Sequence, residues 1–431
     1  MDHKVKCLNN RMLVLKKYKR LELQLKKSGI VISDSRIILA SVHFLIALFM
    51  KQFYLRDSGS IQIGDAIFAL TALLVFTSGQ VRLQDDSPLA LFVLFSFVIN
   101  GFYSLYYKRN IMISSIYLFY NLIVILSFRV LIQNERFLKW LINVLKLILL
   151  AQLFFYFTDL GKHYAGSRYQ GTFNDPNQYG FFVLCSFILL YLCCIYFKKR
   201  PSVIWFVISG FLIILSSSRG MLVSYAVLLF LSVLLPYISE KNFVIKSAFS
   251  LAFVILLFVI FVFNDLLSAL FQGFLEWRYI ASVIGRFQNT TTANTGQSVI
   301  YNLLIDRQLV RVIKAPYYLL FGSGEGINNR FLAVAGQSGE IHCTMIALCY
   351  YYGIIPYTMF LKWIRNNTKN LPLEAKGAFV ALILEAFTLA NHRQPLFWVI
   401  FVFGSILVKT DLGSERKKRR EYKVQHNSTY F

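Results

Sequence analysis

Three short polar stretches carry the ionisable side chains that this otherwise apolar sequence places beside its hydrophobic segments. They are 167–178 (SRYQGTFNDPNQ), 216–220 (SSSRG) and 321–326 (FGSGEG), and the last is followed by Glu340 and His342. An ionisable group in hydrocarbon costs roughly 2.5–3.5 kcal/mol or more unless it is paired or hydrated. These stretches therefore indicate where the chain could do chemistry.

The first stretch combines turn-forming residues with an arginine. A helix that begins at Pro176 and Asn177 would offer unpaired N–H groups and the positive end of its dipole to an anion. Arg168 adds a planar, permanently charged guanidinium that suits phosphate oxygens. The alternative interpretation is a capped turn with an interfacial arginine, and the residues alone favour neither.

The second stretch lies between two apolar segments that almost no loop separates. Arg219 must therefore lie close to the membrane, while three serines and Gly220 let a backbone or a ligand approach closely. A loop arginine that snorkels to the interface is the alternative. The confinement of the site favours a functional arginine.

The third stretch leads to a histidine at the start of an apolar segment. His342 would exchange a proton near neutral pH, and Glu340 would orient it only if the backbone bends between them. A lone interfacial histidine is more often structural. His163 and His392 are rival candidates for a general base.

The combination of membrane-level arginines and a histidine suits one class of ligand. Arginines at the headgroup level fit a lipid-linked phosphate or diphosphate. No ATP is present outside the cytoplasm, so a reaction there needs a donor that brings its own leaving group, as a lipid diphosphate sugar does. The protein would supply positioning, charge neutralisation and a general base.

The composition predicts the elements that must hold these residues. The chain has 431 residues, of which 57% are hydrophobic and 15% are charged, whereas a soluble chain has about a quarter of its residues charged. A helical span needs ~20 mostly apolar residues. We therefore expect an all-α polytopic membrane protein with about twelve transmembrane helices. The expected spans are 37–54, 61–78, 88–106, 111–132, 137–158, 178–197, 202–217, 220–238, 244–266, 341–361, 375–391 and 395–409.

The net charge of +24 predicts an orientation rather than a nucleic-acid partner. Basic residues concentrate in an N-terminal arm (1–36) and a C-terminal tail (410–431), which the positive-inside rule places in the cytoplasm. The first nine spans would occupy 37–266 and the last three 341–409. The intervening 267–340 would form a large periplasmic loop, on the same outer side as the three polar stretches.

Signatures of metal and nucleotide sites are absent from the sequence. It contains no CxxC pair, no HExxH and no GxxxxGK or GxGxxG loop. Five of the six cysteines lie in apolar segments, which is not the pattern of a secreted disulfide framework. We therefore predict no metal and no cofactor.

The order of the polar motifs resembles that of a known family. RxxGTFNDPNQ, then SSSRG, then PYYLLFGSGEG, then His342 and the segment 352–355 (YGII) are similar to the O-antigen ligase and polymerase superfamily. The resemblance covers about 168–355. It implies about twelve spans, a GT-C-like fold, and metal-independent transfer of a glycan from an undecaprenyl diphosphate carrier.

The resemblance also implies roles for individual residues. Arg168 and Arg219 would bind the donor diphosphate, and His342 would activate the acceptor hydroxyl. The remaining candidates for substrate contacts are Arg307 or Arg311 as a third phosphate ligand, Arg286 as a weaker choice, and Asn174, Asn177 and Glu340. The sequence departs from the family at Cys343, where an asparagine is common.

The family contains more than one activity. The wording FNDPNQYG favours a Wzy-type polymerase of O-antigen or capsule, while a ligase to lipid A-core is the alternative. The implied partners are an undecaprenyl-diphosphate-linked glycan and inner-membrane lipid, with a chain-length regulator and a flippase as further candidates. A transporter of lipid-linked sugars would show internal repeats and charged mid-membrane helices, which are not evident. A pure scaffold leaves the arginines unexplained.

Overall fold

The computed structural model describes residues 35–54, 62–164, 168–234, 278–291 and 304–407, and these are mostly helical. Within this part, four helices are long and apolar enough to cross a membrane, which fits a helical membrane protein. They are Gln84–Tyr107, Ile113–Leu131, Glu135–Phe157 and Pro176–Tyr196.

The chain order of the longer helices follows the apolar segments of the sequence. The first eight are α1 (Ser35–Met50), α2 (Ile63–Thr77), α3 (Ser87–Tyr107), α4 (Ile113–Leu131), α5 (Glu135–Phe157), α6 (Pro176–Tyr196), α7 (Val203–Ser216) and α8 (Arg219–Leu229). The rest are α9 (Arg278–Thr291), α10 (Thr344–Tyr352), α11 (Ile354–Thr368), α12 (Leu373–Ala386) and α13 (Pro395–Leu407). The expected span 244–266 lies outside the described residues.

Shorter elements fill the two long connections. A π-helical turn, Phe230–Leu234, continues α8. The connection between α9 and α10 contains helical turns at Val310–Lys314, Tyr318–Phe321, Asn328–Phe331 and Leu332–Ala335. The connection between α5 and α6 forms a two-stranded antiparallel hairpin, β1 (Lys162–Tyr164) and β2 (Arg168–Gly171).

Helix α6 lies at the centre of the bundle. Its apolar window is 83% buried, against 28% for the windows of α3 and α5. It packs against α5, α7, α8, α12 and β2. By contrast, α3 leaves large side chains such as Leu94 and Val98 more than half exposed, which suits a surface that faces lipid. The first polar stretch therefore ends at the start of the most deeply buried of the four long apolar helices.

The expected span 341–361 is not one continuous helix, because the structure divides it into α10 and α11 at Gly353. This residue has φ +77°, and an added Cβ would lie 2.6 Å from the Leu320 carbonyl oxygen. The Ser323 N–H donates to the Tyr350 carbonyl (3.0 Å) and the Gly324 N–H to the Tyr351 carbonyl (2.8 Å). The FGSGEG stretch thus occupies carbonyl groups that a continuous helix would use itself.

Candidate functional site

The break between α7 and α8 positions Arg219. Helix α7 ends at Ser216, Ser217 adopts a left-handed conformation (φ 48°), and Arg219 is the first residue of α8. Ser216, Ser217 and Ser218 are buried. Gly220 lies so close to Thr388 that a Cβ at this position would meet the Thr388 hydroxyl. The small residues therefore let α8 begin against the segment that follows α12, as the sequence predicted for a close approach.

Arg168 links three elements rather than facing open space. It begins β2, and its Nε donates to the Ser216 carbonyl (3.0 Å) while its Nη2 donates to Asn177 Oδ1 (2.9 Å). The hairpin, the end of α7 and the start of α6 are thereby held together. Arg168 is not among the described residues that line the cavity defined below, but Asn177 is.

The N-terminus of α6 is capped from within the chain. The Asp175 carboxylate accepts hydrogen bonds from the N–H groups of Asn177 (2.7 Å) and Gln178 (3.2 Å). The sequence left two interpretations open, N–H groups that bind an anion or a capped turn, and the Asp175 cap favours the second. The helix does begin at Pro176, so the capped turn with a nearby arginine describes this stretch.

A cavity of about 480 Å³ lies where α6 and α8 begin. It is lined by Asp175, Asn177, Gln178, Ser218, Arg219, Gly220, Met221, Asp306, Arg307, Glu340, His342, Thr388, Leu389, Ala390, Asn391, Arg393 and Gln394. Five residues that the sequence singled out line it together: Asn177, Arg219, Arg307, Glu340 and His342. They come from four separate parts of the chain.

Two arginines converge on one carboxylate at the cavity wall. Arg219 Nη2 lies 3.9 Å from Asp306 Oδ2, and Arg307 Nε lies 3.6 Å from the same oxygen. The Asp306 side chain is 57% exposed, so these ion pairs are weak. Arg307 also donates to the Thr388 carbonyl. Guanidinium groups that share an exposed carboxylate have the chemistry to bind an anion such as a phosphate.

His342 presents its ring to the cavity. The residue is exposed, while its backbone N–H donates to the Arg307 carbonyl (3.1 Å). Among the described residues, no side-chain hydrogen bond or ion pair engages the imidazole, which leaves both ring nitrogens to a ligand. Cys343 is buried and precedes α10 as its N-cap, and it is not among the described residues that line the cavity.

The rival histidines do not line the cavity. His392 is buried and its Nε2 lies 3.0 Å from Glu325 Oε1. His163 contacts the Tyr279 hydroxyl (3.0 Å) and Arg278 Nη2 (2.9 Å). Burial and the adjacent Arg278 lower the pKa of His163. Of the three histidines considered from the sequence, only His342 faces the cavity.

Arg311 supports the connection between α9 and α10. Its guanidinium contacts Asn328 Oδ1 (3.1 Å), the Gly339 carbonyl and the Phe331 ring (4.9 Å), and the residue is fully buried. Burial lowers the pKa of Arg311. Arg307 and Arg311 were the alternatives for a third phosphate ligand, and of these two only Arg307 lines the cavity. Asn174 does not line it either.

Arg286 lies in α9, but its side chain is outside the described residues. The role suggested for it therefore stays a prediction.

The sequence reasoning missed the polar segment between α12 and α13. Asn391, Arg393 and Gln394 line the cavity, and Arg393 Nη2 donates to Glu340 Oε1 (3.0 Å). The signal that would have found them is the run of polar residues at 391–394 (NHRQ) between two apolar segments. Asp306 was likewise overlooked beside Arg307.

No protein-family model and no curated protein matches this chain. The described residues also contain no group of three or more His, Cys, Asp or Glu side chains that is arranged to hold a metal ion. The function must therefore be argued from the cavity itself.

Proposed function

We propose that the chain is a membrane glycosyltransferase that polymerises a polysaccharide such as O-antigen or capsule. It would transfer the growing glycan from undecaprenyl diphosphate onto the next lipid-linked repeat unit. The observation that carries this proposal is the cavity in which Arg219 and Arg307 lie side by side with the exposed His342. The apolar helices beside the cavity suit a substrate with a long lipid tail.

The proposed reaction uses these residues in one displacement. An acceptor sugar hydroxyl attacks the anomeric carbon of the donor while the His342 imidazole takes the hydroxyl proton. The bond between the anomeric carbon and the diphosphate oxygen breaks, and the diphosphate leaves with the bonding electrons. Arg219 and Arg307 neutralise the charge that develops on the leaving group, and the configuration inverts. Arg168 acts through its bond to Asn177, as a positioning residue.

The proposal includes the full membrane topology. We place about twelve spans in a GT-C-like arrangement in a bacterial inner membrane, with both termini in the cytoplasm and the cavity facing the periplasm. The support is that the described helices overlap the apolar segments and that basic residues concentrate at both ends of the sequence.

The glycan ladder of a deletion strain tests the assignment. Complementation with Arg219→Ala or His342→Ala should leave single repeat units on the lipid core, because polymerisation stops while ligation continues. A ligase would instead leave no glycan on the core and full chains on undecaprenyl diphosphate. Arg136→Ala and His43→Ala, which lie away from the cavity, are the matched controls and should give normal ladders. Normal ladders from both cavity variants at normal expression would refute the site.

A further inference from the structure

The FGSGEG stretch places a carboxylate in the interior of the protein. Glu325 is 1% exposed, and its Oε2 accepts a hydrogen bond from the Tyr352 hydroxyl (2.7 Å). Its Oε1 accepts from Arg393 Nε (3.0 Å) and Nη2 (2.5 Å), and lies 3.0 Å from His392 Nε2. A buried carboxylate with this many partners fixes the orientation of each of them.

The backbone that carries Glu325 is fixed as well. Its N–H donates to Asn100 Oδ1 in α3 (2.9 Å). Gly322 and Gly324 have φ +79° and +68°, and a Cβ at either would lie 2.8 Å from an atom of a neighbouring residue. Only glycine allows the stretch to pack this closely against α3 and the end of α10. The position of the Glu325 carboxylate is therefore set by the fold.

Arg393 connects the Glu325 carboxylate to the cavity. Its side chain is 29% exposed and lines the cavity, and its Nη2 also donates to Glu340 Oε1 (3.0 Å). The bonds to Glu325 and Glu340 use Nε and Nη2, and within the described part of the chain no hydrogen bond uses Nη1. Glu340 is 45% exposed, so its carboxylate accepts further hydrogen bonds from the cavity.

The side of the cavity at Arg393 differs in net charge from the side at Arg219 and Arg307. Arg219 and Arg307 share one carboxylate, Asp306, whereas Arg393 lies between two, Glu325 and Glu340. Burial raises the pKa of Glu325, but His392, Arg393 and the Tyr352 hydroxyl outweigh it and hold that pKa well below its usual range. The Arg393 side thus has no net positive charge to attract a second anion.

A guanidinium edge beside a carboxylate offers donors and acceptors together, which suits the hydroxyl groups of an uncharged sugar. We propose that Arg393 and Glu340 form the subsite for the acceptor sugar and that Glu325 is the positioning residue that holds Arg393 there. This inference rests on the proposed glycosyl transfer, and it assigns the two sides of the cavity to the two substrates.

The test separates acceptor binding from donor binding in the full chain. The donor is lipid-linked oligosaccharide extracted from the deletion strain, and the varied acceptor is the same oligosaccharide released from its lipid and labelled at its reducing end. In membranes containing Glu325→Gln, we expect the KM for the labelled acceptor to rise about tenfold because a charge-assisted contact is lost. The donor KM and kcat should stay within about twofold of the wild type.

Two further variants keep the test decisive. Glu340→Gln changes a half-exposed side chain, so it does not endanger folding, and it should raise the acceptor KM in the same way. Asp86→Asn is the matched control, because Asp86 is also a buried partner of an arginine but does not line the cavity. It should lower thermal stability and leave the acceptor KM unchanged.

The outcomes distinguish the inference from the function on which it rests. An unchanged acceptor KM in Glu340→Gln or in folded Glu325→Gln, with active wild-type membranes, overturns the subsite alone. An equal rise in donor and acceptor KM also overturns it. If wild-type membranes transfer no glycan to the labelled acceptor, the proposed function itself fails and the subsite fails with it.

Discussion

Two arginine–carboxylate groups in this protein use the same residue types in opposite ways. Arg129 makes a two-pronged contact with Asp86 (2.6 Å for each bond), and both residues are buried. The Asp86 carboxylate also accepts from Trp363 Nε1 (2.7 Å). At the cavity, Asp306 is 57% exposed and lies 3.6 Å and 3.9 Å from its two arginines. The closed group, Arg129 with Asp86, is buried in the interior, while the open group, Asp306 with Arg219 and Arg307, lies at the wall of the cavity.

The closed group is defined by the bonds that its arginine makes rather than by its residue types. Arg129 also donates to Ser405 Oγ (3.1 Å) and Asn367 Oδ1 (2.9 Å), so every nitrogen of its guanidinium has a partner. Such a group has nothing left to offer a substrate. An ion pair between an arginine and an exposed acid at a cavity surface contributes little to stability.

The largest expected effect is the loss of the closed group. Arg129→Ala should lower the free energy of unfolding by about 3–5 kcal/mol, because it leaves the Asp86 carboxylate buried without its cation. Thermal unfolding of the full chain in detergent measures the change. Asp306→Asn, which removes the charge of the acid in the open group, should cost less than about 1 kcal/mol in the same measurement, because the Asp306 side chain is 57% exposed. Equal losses from the two variants would remove the distinction between the groups.

The second prediction concerns the rate of glycan transfer, for which the open group should matter more than the closed group. Arg219→Ala and Arg307→Ala should each lower the rate of glycan transfer by roughly 100- to 1,000-fold, because a preorganised contact to the leaving group is lost. Transfer per folded molecule in membranes is the measurement, with lipid-linked oligosaccharide as substrate.

Arg129→Ala provides the control for this second effect. Its remaining folded molecules should transfer glycan at close to the wild-type rate, since Arg129 does not line the cavity. A wild-type rate in both cavity variants, or a comparable loss per folded molecule in Arg129→Ala, contradicts the assignment of the open group to function.

Much of the fold follows from local sequence. Apolar runs such as 88–106 and 111–132 coincide closely with α3 and α4, because helices beside lipid need an uninterrupted apolar stretch of that length. The division of α10 from α11 does not follow, because Gly353 adopts its positive φ in contact with Leu320, which belongs to another part of the chain. The hydrophobicity of the sequence therefore does not predict that contact.

The site divides in the same way. Arg219 and His342 were identified because an ionisable residue at the edge of an apolar segment is costly and needs a reason. Arg393 was missed because its partner Glu325 lies 68 residues away in sequence. The sequence could not decide between an anion site and a capped turn at the start of α6, and the structure shows that the Asp175 carboxylate caps the helix.

The smallest expected effect comes from a change in Asp306, the acid of the open group. Asp306 contacts both Arg219 and Arg307. Under the proposed function a phosphate group would bind these arginines, and Asp306 would compete with it. Asp306→Asn removes the charge and keeps the shape. Inorganic pyrophosphate should then inhibit glycan transfer at about fivefold lower concentration, equivalent to ~1 kcal/mol.

Salt and a second acid separate this effect from a general change in charge. Because Asp306 is exposed, the difference between variant and wild type should shrink as ionic strength rises and screens its charge. Asp159→Asn removes an exposed acid that does not line the cavity, and it should leave pyrophosphate inhibition unchanged. Weaker inhibition in Asp306→Asn would mean that this carboxylate orients the arginines for the ligand. The open group would then have a structural role like that of the closed group, and the distinction between them would fail.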